Sequence, residues 1–256
     1  MRRINISNLF YEYNSRKSGT TGPSELIVIL DIDETLAHTV SSGSTSSGYP
    51  NRKLELIDNL YILNILTDRN DGIFTTMWGI KRPHLDNFLN FCFSYFKLVI
   101  VWSAGSYEYV HSMVQELFKN TYEPHYILTR NNCVKRDDIY EKPFWKLLKD
   151  FPELNNYVDF DSDQRGIKNI VMIDDKSHCF NSDPYNGVLI PEFVPDLENI
   201  RSISSDDALL RLIHFFESIR GIGELDIRKI DKKNIFKINP PNTLRSFILS
   251  KEILAI

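Results

Sequence analysis

Long apolar runs are missing from this sequence. The most continuous, residues 26–30 and 98–102, fall far short of the roughly 20 residues that a membrane-spanning helix needs, so no membrane association is expected. No secretory signal stands at the N-terminus. Cysteine is scarce, odd in number and widely spaced, at Cys92, Cys133 and Cys179. That excludes a disulfide framework and a zinc-ligand pattern, and the expected setting is an intracellular, reducing compartment, with nucleus and cytoplasm both open. An excess of positive charge is missing as well: 30 Lys and Arg face 34 Asp and Glu, for a formal charge of −4. The chain as a whole therefore has no general electrostatic pull toward nucleic acid. Arg228, Lys229, Lys232, Lys233 and Lys237 make only the C-terminal segment basic, which reads as a solvated face. The six histidines show no ligand spacing.

With 42% hydrophobic and 25% charged residues, what remains is ordinary globular material. Apolar strands at about 25–33, in "KLVIVWSA", in "HYILT" and in "NIVMIDD" alternate with amphipathic stretches. These are "PHLDNFLNFCFSYF", which Pro83 is expected to open, "YEYVHSMVQELFKN", "PFWKLLKDF" and "DDALLRLIHFFESIRG". Such alternation predicts an α/β fold with a doubly wound, mainly parallel sheet. Between the first strand and first helix, "LYILNILTD" and "GIFTTMWGI" flank "RNDG", whose Asp71-Gly72 signals a small β-hairpin over about 54–80. The expected organisation is a poorly ordered lead-in at 1–24, one domain at 25–224 with a flexible Ser-rich loop at 41–47, and a basic extension at 225–256.

Two of the strands run directly into acids, Asp31 and Asp33 after the first, Asp174 and Asp175 after the last. If those strands are neighbours, four carboxylates meet at the sheet edge where α/β proteins bind ligands. Like charges so close call for a cation, and an all-oxygen set with few carboxylates suits Mg²⁺ and a phosphate-bearing substrate. A calcium loop is excluded. "DIDETLAHT" has Leu36 where an EF-hand needs Gly, and "DFDSDQRGIKNI" has Gln164 there and Ile170 in place of the bidentate Glu.

"DIDETL" resembles the D-x-D-x-T motif of haloacid-dehalogenase-type phosphatases. "KRPHLDNFL", "VIVWSAGSYEYV", "LTRNNCVKRDDIYEKPFWKLL" and "IVMIDDKSHCFNSDPYNGVLIPEF" are similar, in order and spacing, to motifs of the branch that dephosphorylates the C-terminal domain of RNA polymerase II. The resemblance covers about residues 26–221. It implies a haloacid-dehalogenase-like fold without a large cap domain, and an Mg²⁺-dependent phosphoserine or phosphothreonine phosphatase working through an aspartyl-phosphate. Asp31 would then be the nucleophile and Asp33 the acid and base. Ser103 and Lys142 would hold the phosphoryl group, and Asp31, the Asp33 carbonyl, Asp174 and Asp175 would hold the metal. Thr35 would support the loop, and Thr35, Tyr109 and Arg130 are the expected substrate-side residues. Phe74 and Trp78 either contact substrate or pack on the domain. Ser103 replaces the commoner Thr, Asp175 stands where small members carry Asn, and Ser106 replaces an apolar residue of a proline pocket. The expected partner is a phosphorylated polypeptide, with oligomeric state open. The rival readings are the same chemistry on a nucleic-acid 3′-phosphate or small ester, and a non-catalytic binding module of the same fold.

Overall fold

A computed structural model describes residues 24–41, 59–68, 73–163, 166–197, 199, 203–223 and 225–237. Its centre is a five-stranded, all-parallel sheet. The strands are β1 (Ile27–Leu30), β5 (Leu98–Trp102), β6 (Tyr126–Leu128), β9 (Ile170–Asp174) and β10 (Gly187–Leu189), in the order β10-β9-β1-β5-β6. These strands read as continuous apolar runs because both sheet faces are covered. Alternation sends Val28, Leu30, Val99, Val101, Val171 and Ile173 to one face, where they meet helices α1 (Leu85–Tyr95), α2 (Tyr107–Leu117) and α4 (Ala208–Ser218). The intervening Ile27, Ile29, Ile100 and Met172 pack on the other face with Phe144 and Leu147 of α3 (Phe144–Asp150). Each such side chain, fully withdrawn from water, contributes about 1.5–3 kcal/mol, which pins the strand register.

The segment between β1 and α1 forms a small antiparallel sheet, β2 (Ala37–Ser41), β4 (Ile73–Lys81) and β3 (Leu60–Asp68), in the order β2-β4-β3. The expected hairpin is therefore β3–β4, with β2 as an added edge. Among the described residues no larger cap is present. Trp78 is 1% exposed, enclosed with Val40, Ile80, Phe193 and Ile203, so its indole serves packing rather than substrate contact. A second hairpin, β7 (Val134–Arg136) and β8 (Ile139–Glu141), occupies a stretch whose sequence reads as a loop. Helix α1 starts at Leu85, behind His84 in the left-handed region (φ 66°), rather than at Pro83. Residues 1–23, 42–47, the lower part of the hairpin at 54–58, the Asp71-Gly72 turn and 238–256 lie outside the described residues. Residues 225–237 do not form a separate unit. Ile227 is buried in the main core, Leu225, Ile230, Ile235 and Phe236 pack against it, and Arg228 pairs with Asp161 and Asp226. Among the described residues no helix is long and apolar enough to cross a membrane.

Candidate active site

β1 lies between β5 and β9, with Leu30 in register with Val101 on one side and Ile173 on the other. The next residues along these strands are Asp31, Trp102 and Asp174, so the registers alone bring the two strand-end acids side by side. Ile29 and Met172 face α3, and the two-residue period puts Asp31 and Asp174 on that same face. Lys142 waits there, immediately before α3. Its Nζ donates to Asp31 Oδ1 and to Asp174 Oδ2, both at 2.6 Å, and the side chain is only 2% exposed. Asp174 Oδ1 accepts the Lys176 N–H at 2.8 Å, which fixes its carboxylate. Asp175 is half-buried, and its Oδ2 is ion-paired with Lys176 Nζ at 2.8 Å.

Burial raises the Asp31 carboxyl well above its usual range, and the charges of Asp174 and Asp33 add to this against the pull of Lys142. Burial works against the charge on Lys142, but Asp31 and Asp174 outweigh it and the ammonium is held protonated. The Asp175 carboxyl is also raised by burial, opposed by Lys176. Asp31, Asp174 and Asp175 each offer an oxygen within 4.8 Å of the others. An octahedral Mg²⁺ spaces its ligand oxygens about 3 Å apart when adjacent and about 4.2 Å when opposite, so hard donors at this spacing fit it after small side-chain rotations. The side chain of Asp33 is not in this group.

Asp33 projects elsewhere from a tight loop. The Ile32 carbonyl accepts the N–H groups of Thr35, Leu36 and Ala37, and Glu34 takes a left-handed φ of 58° at a cost of about 1–3 kcal/mol. Asp33 Oδ2 accepts the Ser103 hydroxyl at 3.3 Å, and Oδ1 accepts the Tyr109 hydroxyl. Burial raises this carboxyl too, opposed by those two hydrogen bonds.

The structure thus brings Asp31, Asp33, Ser103, Lys142, Asp174 and Asp175 together, and relocates several substrate-side expectations. Thr35 is fully buried and carries its loop through its carbonyl, which accepts from Arg82, so it cannot touch substrate. Phe74 is 64% exposed, but it sits near the start of β4 whereas the Lys81 end adjoins the site. Tyr109 points its hydroxyl at Asp33 instead of outward. Ser106 caps α2 by accepting the Tyr109 N–H at 3.3 Å. Arg130 does stand at the rim, exposed, with Nε bonded to the Ala104 carbonyl at 2.7 Å and its guanidinium 5.4 Å from the Tyr140 ring centre. Arg82 has a part that motif matching alone does not reveal. Fully buried, it joins the Thr35 and Pro191 carbonyls to both oxygens of Asp206, clamping the acid-bearing loop to the segment that follows β10. Its sequence signal is its place in "KRPHLDNFL", which marks the residue but not its partners.

The model of the NLI interacting factor-like phosphatase family matches residues 26–228. Nuclear envelope morphology protein 1 of Saccharomyces cerevisiae is 24% identical over 206 residues, which are 79% of this chain and 40% of the yeast protein. CTD nuclear envelope phosphatase 1 of Xenopus tropicalis is 25% identical over 214 residues, covering 82% of this chain and 72% of the relative. Among solved structures, the RNA polymerase II CTD phosphatase Fcp1 aligns with a TM-score of 0.55 at 16% identity, over 84% of this chain and 64% of that one. This likeness shows a shared fold.

Proposed function

Because the chain belongs to the NLI interacting factor-like phosphatase family, we propose that it is an Mg²⁺-dependent phosphatase acting on phosphoserine or phosphothreonine in a polypeptide, such as an RNA polymerase II C-terminal-domain-like tail. The observation that carries this reading is the convergence of Asp31, Asp174 and Asp175 within 4.8 Å around a buried Lys142. Asp31, Asp175, the Asp33 carbonyl and the adjacent Asp174 would hold the metal. When bound, Mg²⁺ supplies positive charge to the phosphoryl oxygens and helps to align the group. The chain's own residues do the rest.

Asp31 attacks phosphorus in line, and Lys142 Nζ, already beside its Oδ1, neutralises the transferring oxygens with the Ser103 hydroxyl. As the bond to the seryl or threonyl oxygen breaks, Asp33 gives that oxygen a proton. Asp33 then takes a proton from the water that attacks the aspartyl-phosphate, which releases inorganic phosphate and restores Asp31. The two carboxylates suit these different tasks because one faces the lysine and the other faces two hydroxyls.

The net charge of −4 weighs against a nucleic-acid substrate, and the small sheet, with no larger cap among the described residues, weighs against an enclosed small ester. The complete set of Asp31, Asp33, Ser103 and Lys142 weighs against a non-catalytic module. The three free thiols support the reducing setting. The test is turnover of p-nitrophenyl phosphate with and without Mg²⁺. Activity should require the metal, vanish in Asp31→Asn and be blocked by beryllium fluoride; an Asp31→Asn variant with wild-type turnover would overturn the proposal.

A further inference from the structure

Tyr109 lies in the first turn of α2, and its hydroxyl ends a partly buried chain of hydroxyl groups. Thr39 Oγ1 on β2 lies 2.8 Å from the Tyr109 hydroxyl and 2.8 Å from the Tyr61 hydroxyl on β3. At the far end of the chain, the Tyr109 hydroxyl donates to Asp33 Oδ1. Two strands of the small sheet and the sequence-distant α2 thus contribute one side chain each. Tyr61 is buried, which removes water as a competing partner. β4 makes room for its phenol at Gly79, where a Cβ would stand 2.3 Å from the Tyr61 oxygen and 2.3 Å from the His38 carbonyl. Burial, with the Asp33 charge acting most strongly on Tyr109, holds both phenols well above their ordinary range, so they remain donors.

Each hydroxyl carries one proton, while an ionised carboxylate can only accept. With Asp33 ionised and all three contacts made, the chain runs one way, Tyr61 to Thr39, Thr39 to Tyr109, Tyr109 to Asp33; the Tyr61 hydroxyl also reaches the His38 carbonyl, but at 3.4 Å against 2.8 Å to Thr39. A carboxylate alone turns about a soft final torsion, and productive geometry demands much tighter orientation. Tying Oδ1 on the Tyr109 side leaves Oδ2 on the side of Ser103. Resting on the reading of the site above, we infer that Tyr109, held by Thr39 and Tyr61, is a positioning residue that fixes the Asp33 carboxyl with Oδ2 toward the leaving oxygen. As the phosphorus–oxygen bond breaks, the proton on Oδ2 passes to the leaving oxygen and Asp33 becomes a carboxylate. The Tyr109 hydrogen bond strengthens as that charge develops. Tyr109 itself transfers no proton.

The experiment measures kcat/KM for phosphate monoesters of rising leaving-group basicity, from p-nitrophenyl through phenyl to alkyl phosphate, beside a phosphoserine peptide. A weakened proton donor hurts basic leaving groups most. Tyr109→Phe and Thr39→Val should lose about threefold or less on the nitrophenyl ester and roughly thirtyfold or more on the alkyl ester, and Thr39→Ser should restore the wild-type trend. Thr39→Val touches neither Asp33 nor substrate and decides the matter if Tyr109→Phe does not fold, as checked by thermal unfolding. A uniform loss across the esters would overturn the inference. So would unchanged small esters with a raised KM for the peptide alone, the signature of a substrate-contacting Tyr109. A wild-type protein that hydrolyses neither esters nor peptide would instead overturn the phosphatase reading itself.

Discussion

Removing the charge of Lys142 would strand Asp31 and Asp174 in the interior with no counter-ion. Breaking a buried pair in this way typically costs about 3–5 kcal/mol, more than the loss of an exposed ion pair, which is about 0–1 kcal/mol. A divalent cation between the same carboxylates would offset part of that cost, by about 2.7 kcal/mol at a hundredfold excess over its Kd. Lys142→Met should therefore melt well below the wild type in EDTA, and Mg²⁺ should raise its Tm by more than it raises that of the wild type. Thermal unfolding in both conditions checks this, and an equal Mg²⁺ shift in the two proteins would separate the lysine from the metal site. At this scale the acids were legible because a carboxylate ending a buried strand has no other place in a core, and Lys142 because it falls within "LTRNNCVKRDDIYEKPFWKLL", one of the stretches that carry the family resemblance. The partner of Tyr109 was not, since Thr39 and Asp33 meet it through register and helix rotation that no local pattern encodes.

Among the elements, four of the five central strands were readable as apolar runs bounded by turn residues, whereas the edge strand β10, three residues beginning with Gly187, was not. β7 and β8 were not, because three-residue strands are too short to show a period of two, and their exposed pattern resembles a loop. In the segment at 225–237 Lys229, Lys233 and Lys237 do face solvent, but the basic composition hides the anchor, Ile227, which is buried and whose N–H reaches the Lys168 carbonyl at 2.9 Å. Arg228 holds it down by pairing with Asp161 at 2.9 Å and Asp226 at 2.8 Å, and Lys232 Nζ donates to the Ile227 carbonyl at 2.6 Å. The Arg228 hydrogen bonds hold the Asp226 carboxyl below its usual range, against the effect of burial. A group depressed on folding contributes stability above its unfolded value of about 3.9 and loses it as pH falls through the lower folded value. Protection of the Ile227 N–H from hydrogen exchange, corrected for the intrinsic rate, should therefore hold at pH 5 and decline below about pH 4. Arg228→Gln should show the decline already at pH 7; full protection in that variant would mean that Ile227 alone secures the segment.

In the molecule as a whole, the described residues place the small β2-β4-β3 sheet, and no larger cap, beside the acid-bearing edge. An extended polypeptide can lie across such an edge, whereas a small ester gains few contacts there. Phosphoserine peptides should exceed small metabolite phosphates in kcat/KM by about tenfold or more, or about 1.4 kcal/mol of transition-state binding. A metabolite turned over faster than every peptide tested would favour the small-ester alternative. The position of β1 also bears on how the chain is made. β1 leaves the ribosome before both of its neighbours in the sheet, so its edges stay open until Leu98 and, much later, Ile170 arrive to pair with Ile27. Until then its four apolar residues are an unsatisfied template for pairing with other chains, the hazard of any slow, long-range parallel sheet. The same delay keeps Asp31 and Asp174 apart during synthesis, so the nascent chain acquires its acid cluster only when β9 docks beside β1.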